Sequence, residues 1–306
     1  MVSLTLNLAP SHRLAVLGSP IKHSRSPLLH RAAYRQLGLD WTYDAVEVKA
    51  GSLAMFLSTM GPEWRGLSLT MPLKHEVLPF IDDCDRVAQL TGSVNTVLLR
   101  RVAGRGTLTG YNTDVAGLVR ALAEAGITRA KHVTLLGAGA TAASALMAAA
   151  ELGAEFVSVL VRDLPKAEPL IELGRSLGVV VDVNDFSGSS GSSRGVESDL
   201  VISTLPGGTV LPTALPLALR ERTTLFDVAY SPWPSAVAAS WESAGGTVLN
   251  GLGMLLHQAL IQVRVFVTAD PFEPLPGESD VLAAMRGALT REAAPGDADS
   301  HDAVER

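Results

Sequence analysis

In the stretch "SLTMPLKHE", residues 68–76, one cation, Lys74, stands two residues after the proline that closes a short apolar run. A lysine held at the carboxyl end of a strand can give or take a proton, whereas the same lysine on an open face is only a solvated charge. Thr70 adds a hydroxyl at the same strand end, where open α/β sheets bind ligands. "GSVNT" (92–96) supplies Asn95, and "GYNTDV" (110–115) supplies Asn112 and Asp114. "GSPIKHSRSP" (18–27) sets Ser24 and Ser26 ahead of a proline, at a strand-to-helix junction. Each of these has an ordinary use, since hydroxyls cap helices and Asx side chains satisfy turns. His23 and His75 read as packing or capping neighbours, because no acid at useful spacing partners them. The sequence holds no metal-ligand cluster and no nucleophile-elbow serine.

A second group of residues suits a different task. "HVTLLGAGATAASALMAAA" reads as strand, glycine turn and helix, with Gly137, Gly139 and Ala142 in the small positions of G-x-G-x-x-G/A. The first glycine permits the tight turn, the second lets backbone approach a pyrophosphate, and the third position allows close helix packing. The helix N-terminus then offers amides to the phosphates. The next strand ends in "VLVRDLPKA", with Arg162, Asp163 and Lys166. At this place an acid would bond a ribose 2′-hydroxyl and a cation would meet a 2′-phosphate. Two cations against one anion favour NADP over NAD, with NAD left open by Asp163.

Positioning these groups requires two sets of strands. The first set is expected at 13–18, 42–48, 66–70 and 96–101, with helices near 27–38 and 51–60. The second is expected at 132–137, 156–161, 179–183, 200–204 and 224–228. Strands alternating with helix-length segments specify a mostly parallel sheet with crossover helices. The glycine signature falls near residue 137, so an α/β domain of more than a hundred residues precedes the nucleotide domain. The amphipathic segment 251–268 follows the last strand and is free to pack back on the first domain. The expected division is 1–114 plus 250–290 for substrate, 115–249 for dinucleotide, and 291–306 as a disordered acidic tail. "SGSSGSSRG" (187–195) reads as a Gly/Ser loop.

Bulk properties exclude several classes. At 306 residues, 47% hydrophobic and 18% charged, the chain can bury two cores. A net charge of −6, half of it in residues 291–306, argues against nucleic-acid binding. The single cysteine, Cys84, permits no intramolecular disulfide and fits a reducing compartment. The start "MVSLTLNLAPSHR" lacks the basic end and apolar core of a signal peptide, and no apolar run reaches the ~18 residues of a membrane span. A cytoplasmic protein with a small-molecule substrate is expected, as monomer or homodimer.

"GSPIKHSRSP", "LTMPLK", "GSVNT", "GYNTD", "GAGATA", the cations after the second nucleotide-domain strand, "DVAYSPWPS" and "GLGMLLHQA" occur in the order found in shikimate dehydrogenases. The chain resembles that family over roughly residues 13–270. The resemblance implies that Lys74 and Asp114 form the catalytic pair, and that Ser24 and Ser26 bind a carboxylate. Thr70, Asn95, Tyr230 and Gln258 would complete the substrate site. Gly137, Ala138, Gly139, Ala140 and Thr141 would cradle the pyrophosphate, with Arg162 and Lys166 at the adenosine end and Gly251 and Met254 near the nicotinamide. The implied reaction is NADPH-dependent reduction of 3-dehydroshikimate to shikimate, in aromatic amino acid (chorismate) biosynthesis. An NAD-dependent quinate/shikimate dehydrogenase and a catalytically silent ligand sensor are the alternatives. Three departures stand out: Ser68 where the family usually has Asn, Val161-Arg162-Asp163 where it has Asn-Arg-Thr, and Ser203-Thr204 before "LPGG".

Overall fold

A computed structural model describes residues 12–102, 105–186 and 198–293; the Gly/Ser run at 187–195 and the residues after 293 lie outside the described residues. Aliphatic runs form β1 (His12–Gly18), β2 (Trp41–Glu47) and β3 (Trp64–Leu69), joined by α1 (Ser26–Gln36) and α2 (Leu53–Ser58). After β3 come α3 (Leu73–Glu76), β4 (Asp83–Cys84), α4 (Arg86–Thr91), β5 (Thr96–Val102), β6 (Arg105–Tyr111) and α5 (Asp114–Glu124). The strand order is β2-β1-β3-β5-β6-β4. β1 is parallel to both its neighbours, whereas β5 is antiparallel to β3 and β6. The β5–β6 hairpin departs from the strand-helix alternation. Its second strand, "RGTLTGY", is hard to read in sequence because Gly and Thr stand where large apolar groups would mark a strand.

The second half contains β7 (His132–Leu136), α6 (Ala140–Glu151), β8 (Phe156–Val161), α7 (Glu168–Leu177) and β9 (Val180–Asp185). β10 (Leu200–Ser203), α8 (Leu217–Arg222), β11 (Thr224–Asp227), α9 (Ala236–Ser243) and β12 (Val248–Leu249) complete it. All six strands are parallel, in the order β12-β11-β10-β7-β8-β9. Counted from β7 this is the doubly wound order 3-2-1-4-5-6, whose switch point lies between β7 and β10. Its core joins Val133, Leu135, Val157 and Val159 of the sheet to the small face of α6, Ala142, Ala145 and Ala149.

The chain then returns. α10 (Leu252–Thr268) and α11 (Glu278–Ala293) cover one face of the first sheet, where Leu256, Leu260, Val263 and Phe266 share a core with Leu14, Val16 and Leu29. Full burial of each such side chain is worth about 1.5–3 kcal/mol, enough to anchor α10 firmly. α11 runs to Ala293, so the stretch expected to be disordered from residue 291 begins with helix. Among the described residues, no helix is long and apolar enough to cross a membrane.

Candidate active site

Lys74 sits on α3, one short turn beyond β3. Its backbone is fixed on both sides, since Leu73 N–H donates to Thr70 O at 2.8 Å and Val94 N–H to Lys74 O at 3.0 Å. Leu73 beside it is fully buried and Glu76 ties α3 to the amides of Gly51 and Leu53. These contacts fix the backbone of Lys74, and its Nζ donates to Asp114 Oδ2. Both side chains are nearly enclosed, 12% and 5% exposed, which separates this pair from a solvated surface bridge. Asp114 opens α5, where unpaired helix amides favour negative charge. Its N–H donates to Asn112 Oδ1 at 2.9 Å, and its other carboxylate oxygen accepts from Asn95 Nδ2 at 2.8 Å. Asn112 is thus a local turn-former, as Asx residues commonly are, and its amide also ties the turn to Ser144 of α6 at 3.1 Å.

The pair faces a cleft of about 690 Å³ between the two sheets. One wall comes from loops after β1 and β3, carrying Ser24, Ser26, Thr70 and Lys74, with Asn95 and Asp114 beside them. The other comes from loops after β10 and β11, with Thr204, Val228 and Tyr230. Gln258 and Met254 of α10 form the floor, with Gly251 at the helix start. Arg25 lies 6.0 Å from the Tyr230 ring centroid, which brings the two walls together beside Ser24 and Ser26. Gln258 reaches the cleft because α5 and α10 cross closely: a Cβ on Gly117 would stand 2.7 Å from Gln258 Cβ.

A second cavity of about 470 Å³ shares Leu205 and Pro206 with the first. Gly137, Ala138, Gly139, Arg162, Asp163 and Lys166 line it. Gly137 has φ +104°, and a Cβ there would come within 2.7 Å of Thr204 Oγ1, so only glycine suits the turn. A Cβ on Gly139 would meet nothing within 4 Å, which leaves open space in front of this backbone. No side chain caps α6, so its first amides remain available to an anion. Lys166 Nζ lies 3.3 Å from Asp163 Oδ2, and the local excess of positive charge then rests on Arg162. These features fit a dinucleotide with its pyrophosphate on α6 and a charged group near Arg162.

The structure brings most of the sequence-derived residues together. Lys74, Asp114, Ser24, Ser26, Thr70, Asn95, Tyr230, Gln258, Thr141, Gly251 and Met254 line the large cleft. Gly137, Ala138, Gly139, Arg162 and Lys166 line the second cavity. Ala140 begins α6 and lines neither. Gln262 also lines the cleft and was not foreseen, and so does the loop Leu205–Gly207, which the sequence marked only as part of a departure from the family. Gln262 stands four residues after Gln258 on one helix, so the helical period alone points to it. The loop carries no chemical signal in sequence; its place follows from lying beyond β10, at the switch point. His75 Nδ1 donates to Gly92 O at 2.7 Å, whereas His23 lines the cleft.

Comparison with known proteins adds a family. A family model of the shikimate dehydrogenase substrate binding domain matches residues 16–97. The shikimate dehydrogenase (NADP(+)) of Methanothermobacter thermautotrophicus is 34% identical over 281 residues, covering 89% of this chain and 96% of that protein. The crystal structure of Mycobacterium tuberculosis shikimate dehydrogenase is 39% identical, with a TM-score of 0.78 over 91% of this chain and 100% of that one. That of the Thermus thermophilus shikimate 5-dehydrogenase, in complex with NADP(H) and shikimate, is 31% identical, with a TM-score of 0.72 over 91% and 100%.

Proposed function

The chain belongs to the shikimate dehydrogenase family, and on that premise we propose that it reduces 3-dehydroshikimate to shikimate reversibly, with NADP as cofactor and Lys74 as proton donor and acceptor. The carrying observation is the enclosed Lys74–Asp114 pair lining a cleft that adjoins, through Leu205 and Pro206, a second, glycine-lined cavity. The reaction belongs to aromatic amino acid biosynthesis.

When bound, the nicotinamide supplies hydride to the ketone carbon or receives it from the alcohol. Lys74 meets the charge that builds on the ketone oxygen and delivers its proton there, a stabilisation of the oxyanion kind. In the reverse direction the Lys74 amine takes the alcohol proton, as a general base. Asp114 orients Nζ, and Asn95 holds Asp114. Ser24 and Ser26 bind the substrate carboxylate; Thr70, Asn95 and Gln258 bind ring hydroxyls, and Tyr230 closes the far side. Gly137 to Thr141 hold the pyrophosphate, Arg162 and Lys166 the 2′-phosphate, and Gly251 and Met254 the nicotinamide end.

Residues 1–114 with 250–290 act in this reading as the substrate-binding half and 115–249 as the dinucleotide half. The shared core of α10, α11 and β1 supports the first assignment. The protein works in the cytoplasm as a monomer or homodimer, a setting that suits the free cysteine Cys84. Initial rates with NADP and NAD, each crossed with shikimate and quinate, test the assignment. The expected result is highest kcat/KM for shikimate with NADP; a strong NAD or quinate preference would overturn it.

A further inference from the structure

Ser68 lines the cleft but is only 3% exposed, and its hydrogen bonds fix which way its proton points. β3 alternates, so Leu67 and Leu69 enter the core on one face while Ser68 turns to the other, toward α10. There Ser68 Oγ lies 2.9 Å from Gln262 Oε1 and 2.6 Å from Tyr43 Oη.

The direction of each bond follows from its neighbours. Gln262 Nε2 lies 3.2 Å from Asn95 O and 3.0 Å from Thr96 Oγ1. A backbone carbonyl can only accept, so the nitrogen of Gln262 must face it and the oxygen must face Ser68. An amide oxygen cannot donate; Ser68 therefore spends its one proton on Gln262. The short contact with Tyr43 still needs a proton, and only the phenol can supply it. His30 agrees with this assignment. Its Nε2 lies 3.1 Å from the same Gln262 oxygen, and its Nδ1 lies 3.2 Å from Tyr34 Oη. The ring is fully buried and its pKa is pushed down to about 3 by that burial, so it is neutral, donating from Nε2 and accepting at Nδ1.

Ser68 thus has no proton left to offer, so any further partner it meets in the cleft it lines must donate to it. We propose that Ser68 is a specificity-determining residue that presents only a hydrogen-bond acceptor to the substrate, with Gln262 as the positioning residue that takes its proton. At this point of the cleft a ring hydroxyl is accepted, and a substituent that can only accept is refused. A buried acceptor facing another acceptor is left unpaired, which is how polar sites discriminate strongly. The inference rests on the shikimate dehydrogenase reading of the same cleft.

The test is a set of specificity constants for shikimate and for analogues in which each ring hydroxyl not undergoing oxidation is replaced in turn by hydrogen or by fluorine. For one position, both replacements are expected to lower kcat/KM by about 10- to 100-fold, with fluorine no better than hydrogen. The loss should appear mainly in KM. In Ser68→Ala the penalty at that position is expected to shrink to within about threefold, while penalties at other positions stay. Tyr43→Phe keeps the Ser68 lone pair and should keep the penalty, which separates the acceptor from general loosening of the wall. Wild-type protein alone decides the first part should Ser68→Ala fail to fold. Turnover of shikimate with no hydroxyl position showing this pattern, or a penalty unchanged in Ser68→Ala, would overturn the inference. Absence of any shikimate turnover by wild type would overturn the functional reading instead.

Discussion

Asn95 Nδ2 stands 2.8 Å from Asp114 Oδ1, so the carboxylate oxygen that does not face Lys74 is already engaged. The amide cannot flip, because Asn95 Oδ1 accepts from Thr113 N–H at 3.0 Å and from Thr96 Oγ1 at 2.8 Å. Asn95→Ala would release Asp114 to rotate away from Lys74. A fall in kcat of about 10- to 100-fold is expected, equivalent to roughly 1.4–2.7 kcal/mol of barrier. Steady-state kinetics with shikimate and NADP check it, and an unchanged kcat would remove Asn95 from the positioning of the pair.

Arg162 is exposed at the rim of the glycine-lined cavity, and Asp163 engages Lys166 beside it. Arg162→Ala is expected to lower kcat/KM for NADP by about 10- to 100-fold, the worth of a charge-assisted bond to phosphate, with little effect on NAD. Asp163→Asn releases Lys166 and should raise NADP affinity severalfold. Equal losses for both cofactors in Arg162→Ala would place the 2′-phosphate elsewhere.

Gly117 is the contact that lets α5 and α10 cross with Asp114 on one helix and Gln258 on the other. A Cβ there would also come within 3.0 Å of the Gln258 backbone N and the Met254 O, atoms that cannot move aside cheaply. Gly117→Val is expected to cost about 1–3 kcal/mol of stability and to raise KM for shikimate. Chemical denaturation and KM measurements on the same sample check both. A stable variant with wild-type KM would contradict the tight crossing.

His30 stacks on Tyr43 with ring centroids 3.9 Å apart, fully buried and neutral. Its folded pKa of about 3 lies below the ordinary 6.5, so the unfolded chain binds a proton that the folded one refuses. The contribution of this group is therefore complete above pH 6.5 and lost progressively as pH falls toward 3. Between pH 7 and pH 5 about 2 kcal/mol should disappear. Denaturant titrations of wild type and His30→Gln check the difference: the variant is expected to lose less over this range. Parallel pH dependences would show that His30 is protonated in the folded protein.

Sequence reading found the cleft because its residues sit at strand ends, and the order of strands and glycines already says where such ends converge. Lys74, Thr70 and the glycine turn were legible on those grounds, whereas Asp114 read as a turn residue and was joined to Lys74 only by the family resemblance. The hairpin strand β6 was not, since its small and polar residues carry no strand-like pattern. Ser68 was visible as a departure, but its meaning needed Tyr43, 25 residues away, and Gln262, 194 residues away. Hydrogen-bond direction belongs to three-dimensional neighbours, and nothing in the chain order encodes it. Ala140 shows the opposite limit: the motif includes it, yet it contributes a helix turn and no cavity wall.

Lys74 carries the central claim, and the turnover number of Lys74→Ala, measured with substrate binding confirmed by titration, tests it most directly. The expected result is a kcat at least about 10³-fold below wild type with a much smaller change in shikimate affinity, and no further loss when Asp114→Asn is added. A folded Lys74→Ala protein that binds shikimate and turns it over at a near-normal rate would contradict the assignment of proton transfer to this residue.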